Sequence, residues 1–406
     1  MNVNKCIVTL CAQLSFLCSS CAQAFEPLFP CTEKLEAPYG ICCHVTRYEY
    51  DMMDDILKKY NDIGATSMRT DWDWGRIEPK VKSEYKWAVM DKVYSDTHNS
   101  KIDLLPIINE DTWNNEHAWD FMPHWKEYIK ASAERHHTVD HWEICNEIDL
   151  SKSIPKDSIV STYRILLHEA NSSLKQVRPT NKTVFSGVAS VTSELGKKLM
   201  SSVSSDDYDI MNFHMYTGWG GPERFIDTLK IVSDMMARYD CVKPLWITET
   251  GYSTYRNANI RGYETHDVQS EYIARTYLIC LSLGVDRVYW YQFGSTEENP
   301  DEREHHWGLV HNNLKPKESY RAYKALTSFL PSGSTRPVLT YNGNYYKAEW
   351  MDVNGRRSVA LWVKDGECVL PREFKRKGTA YDMYGNKLSK SRLKIKTGVT
   401  YIICGR

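Results

Sequence analysis

The 406-residue sequence lacks an excess of charge of either sign. Its 51 basic residues stand against 52 acidic ones and leave a formal net charge of -1. A nucleic-acid-binding surface shows as an excess or a cluster of Lys and Arg, so no nucleic-acid partner is expected. After residue 24 the sequence also lacks any run of about 18 consecutive apolar residues, the length that a transmembrane helix needs. Both features argue against a nucleic-acid-binding or membrane-spanning protein.

Patterns that hold metals or phosphates are missing as well. The adjacent pairs Cys42-Cys43, His136-His137 and His305-His306 lack the spacing of a zinc site. Most of the cysteines after residue 24 stand singly in apolar runs, where a free Cys behaves as a small buried hydrophobe. Neither a P-loop nor a Gly-x-Ser-x-Gly motif occurs. We therefore predict no metal and no other cofactor.

The amino terminus has the features of an export signal. Lys5 precedes the mostly apolar run CIVTLCAQLSFLCSS, and Ala22-Gln23-Ala24 offers a small-x-small cleavage site. The overlapping stretch FLCSSCAQ resembles a bacterial lipoprotein signal with Cys21 as the acylated residue. We expect residues 1–24 to be a signal peptide, with either Phe25 or a lipidated Cys21 as the mature end. The expected location is the periplasm, the medium or the outer membrane of a bacterium, with the lipid as the sole membrane link.

One unit recurs along the chain: a short apolar run, a polar loop and a helical stretch. The eight apolar runs lie at 39–45, 65–71, 102–108, 139–145, 183–189, 209–216, 244–250 and 287–293. Apolar runs that alternate with helices are typical of parallel strands covered on both faces. Eight units in roughly 300 residues predict an α/β protein with a (β/α)8 barrel. A doubly wound open sheet is the rival, but no Gly-x-Gly-x-x-Gly follows the first run.

The pattern changes near residue 335. Runs such as YYKAEWMDV and RRSVALWVK are separated by Gly, Asn and Asp, which is typical of β-hairpins. We assign residues 25–334 to the barrel and residues 335–406 to a small antiparallel, β-sandwich-like module. Residues 25–38 could add a strand to this module, and a monomer is expected.

The residues at the carboxyl ends of the predicted strands are the candidates for chemistry, since barrel enzymes carry their catalytic groups there. Asn146-Glu147 follows the run 139–145, and Glu249 ends the run 244–250. Two carboxylic acids across a barrel mouth suit cleavage of a glycosidic bond. The leaving oxygen needs a proton, and the anomeric carbon needs a nucleophile or an activated water. Further candidates for substrate contacts are Arg69, Trp72, Trp113, His214, Tyr216 and Trp290.

Five motifs occur in order at these strand ends: MRTDWDWGRIEP, WEICNE, NFHMY, LWITETGYS and VYWYQF. Together they resemble the clan A glycoside hydrolases, a retaining (β/α)8 superfamily, and within it family 39 and family 5 type enzymes. The resemblance implies Glu147 as acid/base and Glu249 as nucleophile. Ile148 departs from the family 39 pattern, which usually has Pro after Asn-Glu.

Roles for the remaining residues follow as hypotheses. Arg69 and the Tyr216 hydroxyl would hold Glu249 ionised, although Arg69 could instead form a structural ion pair with Asp71 or another core acid. Asn146 would bind the sugar 2-hydroxyl. His214 would contact Glu147 or a hydroxyl, and Trp290 would form the floor under the sugar.

The function expected from these features is a retaining β-glycoside hydrolase with a carbohydrate substrate. Several Trp residues near one rim could line a cleft, which favours endo action on a β-linked polysaccharide such as a β-glucan. If the loop TEENPDEREHHWGLV walls off one end, the enzyme would be an exo-acting β-glycosidase of the β-xylosidase or β-glucosidase type. A transglycosylase and a non-catalytic carbohydrate-binding barrel also remain open.

Overall fold

The centre of the protein is a closed barrel of parallel strands. The computed structural model describes residues 22–45, 52–112, 114–217, 220–255, 266–299 and 301–405. Within these ranges the barrel strands are β2 (Tyr39–Cys42), β3 (Ser67–Trp72), β4 (Asp103–Ile108), β5 (His141–Ile144), β6 (Lys182–Val184), β7 (Met211–His214), β8 (Leu245–Thr250) and β9 (Val285–Trp290). They pair in parallel in the order β6-β5-β4-β3-β2-β9-β8-β7. Bridges from Val184 to Ile210 and from Val188 to Phe213 join β6 to β7, so the predicted barrel is confirmed.

A helix follows each barrel strand. These helices are α1 (Met53–Asp62), α3 (Ala88–Asn99), α4 (Met122–Arg135), α5 (Ile159–Val177), α6 (Glu194–Ser202), α7 (Arg224–Arg238), α8 (His266–Ser282) and α9 (Glu318–Phe329), with a short extra helix α2 (Trp74–Ile77) after β3. In α7 the buried residues Phe225, Ile226, Leu229, Val232 and Met236 recur three or four positions apart. This spacing puts them on one side of the helix, which packs on the barrel.

Two strands stop earlier than their apolar runs predict, and both stops shape the barrel mouth. The run 183–189 is regular only over Lys182–Val184. A Cβ on Gly187 would lie 2.0 Å from His214 Nε2, so the glycine makes room for that ring. The strand β5 ends at Ile144 because Cys145 and Glu147 have φ values of 63° and 41°. Non-glycine residues in this left-handed region are uncommon and cluster at functional sites.

The carboxyl-terminal module is built on one antiparallel sheet. Its strands are β1 (Gln23–Phe25), β10 (Val338–Tyr341), β11 (Tyr346–Met351), β12 (Arg357–Trp362), β14 (Thr379–Tyr381), β15 (Lys387–Leu388) and β17 (Thr400–Ile403), in the order β1-β10-β11-β12-β17-β14-β15. A second, two-stranded sheet pairs β13 (Cys368–Val369) with β16 (Lys394–Ile395), and a short helix α10 (Arg372–Lys375) follows β13. An amino-terminal strand thus joins the module, although it begins at Gln23 and not within residues 25–38.

Most of the predicted export signal, residues 1–21, lies outside the described residues. Among the described residues, no helix is both long and apolar enough to cross a membrane. The cysteines Cys42, Cys43, Cys145, Cys241 and Cys280 are buried in the core, as the apolar runs around most of them predict.

Candidate active site

The end of β5 presents Glu147 to the barrel mouth. The left-handed conformations of Cys145 and Glu147 turn the chain sharply around Asn146, and the short 3-10 helix Ile148–Leu150 follows directly. About a quarter of the Glu147 side chain, 28%, is exposed. A carboxyl group in this position can reach both a leaving group and a water molecule.

Glu249 owes its inward orientation to an irregularity in β8. Phe213 of β7 pairs with Ile247, but the next residue, His214, pairs with Glu249, so β8 carries one extra residue at this point. Bulges of this kind are common at barrel rims, where they re-aim a side chain. Glu249 therefore lies inside the barrel, with 10% of its side chain exposed.

Arg69 connects the strands of the site through one buried guanidinium. It donates from Nη1 to Glu249 Oε1 at 2.6 Å and from Nη2 to Asn146 Oδ1 at 2.7 Å. It also donates from Nε and Nη2 to the two oxygens of Glu143, at 2.7 and 2.9 Å. Both alternatives for Arg69 thus hold at once, since it pairs with Glu249 and with a core acid, which is Glu143 and not Asp71.

Glu143 is the buried partner that the sequence analysis missed. It is fully buried in β5, and its Oε1 accepts further hydrogen bonds from Asn212 Nδ2 at 3.1 Å and Thr248 Oγ1 at 3.2 Å. A buried carboxylate is tolerable when it is paired and hydrogen-bonded in this way. An acid at an inward position of an apolar strand was the available signal.

His214 and Tyr216 extend from β7 toward the two carboxyl groups. His214 Nδ1 lies 2.9 Å from Glu147 Oε1 and 3.4 Å from Glu249 Oε2. The Tyr216 hydroxyl donates to Glu249 Oε2 at 2.8 Å. Desolvation of the hydroxyl against Glu249 and the charge of that carboxylate raise the pKa of Tyr216 well above its usual value, although 37% of the residue is exposed. The hydroxyl therefore remains a donor.

The surroundings of Glu249 favour its ionised form. Burial alone would raise the pKa of this carboxyl group. The positive charges that His214 and Arg69 can carry, together with the hydrogen bond from Tyr216, outweigh burial and hold the pKa of Glu249 below its usual value. Glu249 is therefore an anion at neutral pH.

The two glutamates lie close enough to act on one atom. One carboxylate oxygen of Glu147, one of Glu249 and a ring nitrogen of His214 all lie within 4.8 Å of one another. Retaining glycosidases hold their two carboxyl groups about 5–5.5 Å apart, whereas inverting ones leave about 6.5–9.5 Å for a water molecule. The spacing fits a direct attack by Glu249.

The same three residues are the one group of potential metal ligands found among the described residues. Both oxygens of Glu249 already accept hydrogen bonds, from Arg69 and from Tyr216. A divalent cation would have to stand beside the Arg69 guanidinium, where like charges repel. The donor set thus fits a carboxylate–arginine pair better than a resident metal.

The structure corrects two of the aromatic candidates, Trp72 and Trp290. Trp72 is fully buried and packs against His136 and Trp142, outside the barrel. Trp290 is also fully buried, with its ring 5.9 Å from Tyr252, so it cannot form the floor under a sugar. Trp113 lies outside the described residues.

The wrong assignments of Trp72 and Trp290 have one cause, which is the alternation of side chains along a strand. Tyr289 belongs to the cluster inside the barrel. Its neighbour Trp290 therefore points outward, and Tyr291 is the next inward residue. The Tyr291 ring lies 5.9 Å from His44 and 5.8 Å from Trp307.

His44, at the end of β2, is a further site residue that the sequence analysis missed. Its Nδ1 lies 2.6 Å from Asp71 Oδ2, and its buried Nε2 has no hydrogen-bond partner among the described residues. An unsatisfied buried nitrogen next to the mouth calls for an explanation, and a ligand in the mouth would supply the missing partner. Both stand at the carboxyl ends of predicted strands, His44 in the run 39–45 and Asp71 in the run 65–71, which was the available signal.

A separate cavity of about 330 Å³ lies at the opposite rim, near the amino-terminal ends of β4 and β5. It is lined by His98, Lys101, Asp103, His141 and Arg287 among others. That rim of a barrel mainly stabilises the fold, and neither Glu147 nor Glu249 reaches it.

No protein-family model and no curated protein matches this sequence. Solved structures do match. A family 39 glycoside hydrolase from the gut symbiont Bacteroides cellulosilyticus WH2 has a TM-score of 0.73 and 18% identity, over 92% of this chain and 82% of that one. A GH39 β-xylosidase from Caulobacter crescentus has a TM-score of 0.63 and 14% identity, over 94% and 99%. A GH5_18 protein from Bifidobacterium longum has a TM-score of 0.57 and 16% identity, over 72% and 78%.

The fold resembles that of clan A glycoside hydrolases. The likeness to family 39 and family 5 type barrels, which the five motifs predicted, is thereby confirmed for the fold.

Proposed function

We propose that this protein is a retaining β-glycoside hydrolase that works by double displacement. The observation that carries the proposal is a pair of glutamates within 4.8 Å of one another whose surroundings differ. Glu249 is held as an anion by Arg69 and Tyr216, whereas Glu147 is more exposed and contacts His214. One residue suits nucleophilic attack and the other suits proton transfer.

In the first step a Glu249 oxygen attacks the anomeric carbon while Glu147 donates its proton to the leaving oxygen. The carbon–oxygen bond to the leaving group breaks as the ester to Glu249 forms. In the second step Glu147, now a carboxylate, takes a proton from a water molecule that attacks the same carbon. The ester breaks, Glu249 is free again, and Glu147 regains its proton.

The remaining residues orient these two. Arg69 fixes Asn146 as well as Glu249, so one guanidinium sets the positions of the nucleophile and of the group expected to bind the sugar 2-hydroxyl. His214 lies between both carboxyl groups and keeps them at a fixed separation. Positioning of this kind is worth more in the transition state than in the ground state.

We further propose exo action, because the segment after β9 that contains Trp307 closes one side of the barrel mouth next to Glu249. We call this segment the wall. Its Trp307 is almost fully buried behind the rings of Tyr216, at 5.4 Å, and Tyr291, at 5.8 Å, so it supports these rings and does not itself face a substrate. Trp307 O accepts from Gln269 and His306 O accepts from Thr254 N, so the wall is tied to the rim. Tyr216 binds Glu249, so this segment is fixed one ring away from the nucleophile, a position that suits a site for a single sugar.

This arrangement favours the pocket of an exo-acting β-glycosidase over the cleft of an endo-acting glycanase. A β-xylosyl oligosaccharide is a suitable first substrate, since one of the similar structures is that of a β-xylosidase. Time courses on a β-linked oligosaccharide separate the two: a single released sugar supports the pocket, and a ladder of intermediate lengths supports the cleft. The ratio of hydrolysis to transfer products then tests the transglycosylase alternative.

The proposed nucleophile is tested by chemical rescue. We expect Glu249→Ala to abolish turnover of an aryl β-glycoside, and added azide to restore it with the α-glycosyl azide as product. Azide enters on the face that the carboxylate occupied, which inverts the anomeric carbon. Substantial residual activity without rescue would remove Glu249 from the role.

Export remains part of the proposal, with the leader as its basis. The mass of the protein isolated from bacterial membranes and medium distinguishes the two mature ends, since a lipidated Cys21 adds acyl mass and Phe25 does not. Retention of residues 1–20 in the isolated protein would contradict export.

A further inference from the structure

The carboxyl-terminal module reaches the barrel through one buried indole. Trp362, the last residue of β12, is fully buried and donates from Nε1 to Glu223 Oε1 at 2.8 Å. Its ring stacks on Tyr346 of β11 at 5.4 Å, with the planes 10° apart. The module thus places a hydrogen-bond donor on the residue that precedes α7 at the barrel mouth.

Glu223 is a buried carboxylate with a full set of donors. Arg275 of α8 donates to both of its oxygens, from Nε at 2.9 Å and from Nη2 at 2.5 Å. A Cβ on Gly221 would lie 2.8 Å from Glu223 Oε2 and 2.9 Å from Arg275 Nη2, so a larger residue there would disturb the pair. Trp362 supplies the third donor, and the three together offset the cost of burying the charge.

This ion pair is connected through two tyrosines to the segments that follow β7 and β8. The Arg275 guanidinium lies over the ring of Tyr272, which contacts the ring of Tyr252 at 4.7 Å. The Tyr252 hydroxyl accepts from Thr217 Oγ1 at 3.0 Å, and Thr217 follows Tyr216 in the chain. Tyr252 itself comes two residues after β8, the strand that carries Glu249.

We propose that Trp362 is a positioning residue for catalysis. By completing the donor set of Glu223, it fixes the Arg275 guanidinium and, through Tyr272 and Tyr252, the position of Thr217. Thr217 follows Tyr216, whose hydroxyl then meets Glu249 Oε2. The module is then a working part of the catalytic unit and not only a cover for the barrel. The inference rests on the proposed function in one respect, namely that Glu249 is the nucleophile.

A matched pair of Trp→Phe substitutions tests this role. Trp350, in β11 of the same module, is also buried and also donates its indole N–H to the barrel, to Phe329 O of α9 at 3.0 Å. Trp362→Phe and Trp350→Phe each remove one indole donor across the same boundary, but only the first touches Glu223. If Trp362 has a purely structural role, the two variants should change kcat/KM and its pH profile to a similar extent.

The two variants are expected to differ in kcat/KM and in its pH dependence. We expect Trp362→Phe to lower kcat/KM by about three- to tenfold and to move the acidic limb of its pH profile upward, because Glu249 loses part of the Tyr216 hydrogen bond. The other groups that face Glu249, which are Arg69, His214, Glu147 and His44, stay in place. Trp350→Phe should leave the pH profile unchanged. Equal effects of the two variants would overturn the proposal.

A double-mutant cycle places the effect at Tyr216. In a Tyr216→Phe background the hydroxyl is gone, so adding Trp362→Phe should produce no further shift of the acidic limb. A shift of the same size in both backgrounds would show that Trp362 acts by another route and would refute the proposed one.

Hydrogen exchange gives a readout that needs no turnover. Deuterium uptake of the peptide spanning residues 211–225 should rise in Trp362→Phe and stay at the wild-type level in Trp350→Phe. If the wild-type protein hydrolyses no glycoside, the proposed function fails, but deuterium uptake of residues 211–225 still tests the role of Trp362. Unchanged uptake in Trp362→Phe would overturn the inference even in an active enzyme.

Discussion

Replacing Glu143 by Gln probes the buried charge on which the site is built. The two Glu143 oxygens accept from Arg69 Nε, Arg69 Nη2, Asn212 and Thr248, at 2.7 to 3.2 Å. An amide nitrogen accepts no hydrogen bond, so in either orientation at least one of these donors would face another donor. The substitution also removes a negative charge that balances Arg69 in a fully buried place.

The expected cost follows from burial. Removing one partner of a buried ion pair destabilises a protein by about 3–5 kcal/mol, because the other charge stays buried and unbalanced. Glu349 and Arg357 form a bidentate pair of the same kind on the module, but 30% and 35% of their side chains are exposed. Exposed pairs contribute only about 0–1 kcal/mol.

Urea titrations of Glu143→Gln and Glu349→Gln therefore measure the effect of burial at matched chemistry. We expect the free energy of unfolding to fall by about 3–5 kcal/mol in the first variant and by about 1 kcal/mol or less in the second. Equal losses in the two variants would refute the reasoning that Arg69 needs a second buried carboxylate.

Three further outcomes are expected. Tyr216→Phe should raise the pKa of Glu249 and move the acidic limb of the kcat/KM profile to higher pH. The shift should reach about one to two pH units if the hydrogen bond contributes about 1.5–3 kcal/mol. An unchanged acidic limb would contradict the hydrogen bond from Tyr216 to Glu249. Trp307→Ala should raise KM for a single-sugar aryl glycoside by about tenfold, which corresponds to a loss of about 1.4 kcal/mol of binding free energy. An unchanged KM would argue against the proposed pocket. Dialysis against EDTA should leave turnover unchanged, and activity restored by a divalent cation would reverse the view of the site as metal-free.

The eight strands could be predicted from the sequence because each is a continuous apolar run between polar segments. Their ends could not. The run 183–189 predicts one continuous strand, but the ring of His214 lies against Gly187, where a side chain would not fit. This contact joins distant parts of the chain. Close approaches of this kind leave no local signal beyond the glycine itself.

Alternation along a strand explains both the successes and the errors at the site. Arg69, His214 and Tyr216 lie on inward positions, where they reach Glu147 and Glu249. Trp72 and Trp290 fall on outward positions. The alternation of inward and outward side chains could be derived from the sequence. It would have identified Tyr291, and not Trp290, as the inward candidate. The residue types at the strand ends alone did not distinguish inward from outward side chains.

Other parts of the site depend on long-range packing and could not be derived. Glu249 faces inward because β8 carries an extra residue relative to β7, which a strict alternation would not allow. Glu143 and Trp362 find their partners 74 and 139 residues away. Such pairings are set by the closed barrel and by the packing of the module on it.

The configuration of the first sugar released is the most direct test of the two-step mechanism through Glu249. Proton NMR of a β-glycoside during early turnover, before the anomers equilibrate, reports which one forms. Two inversions at the anomeric carbon predict the β-anomer. An initial α-anomer would mean that water attacks directly, and the account of Glu249 as a nucleophile would be wrong.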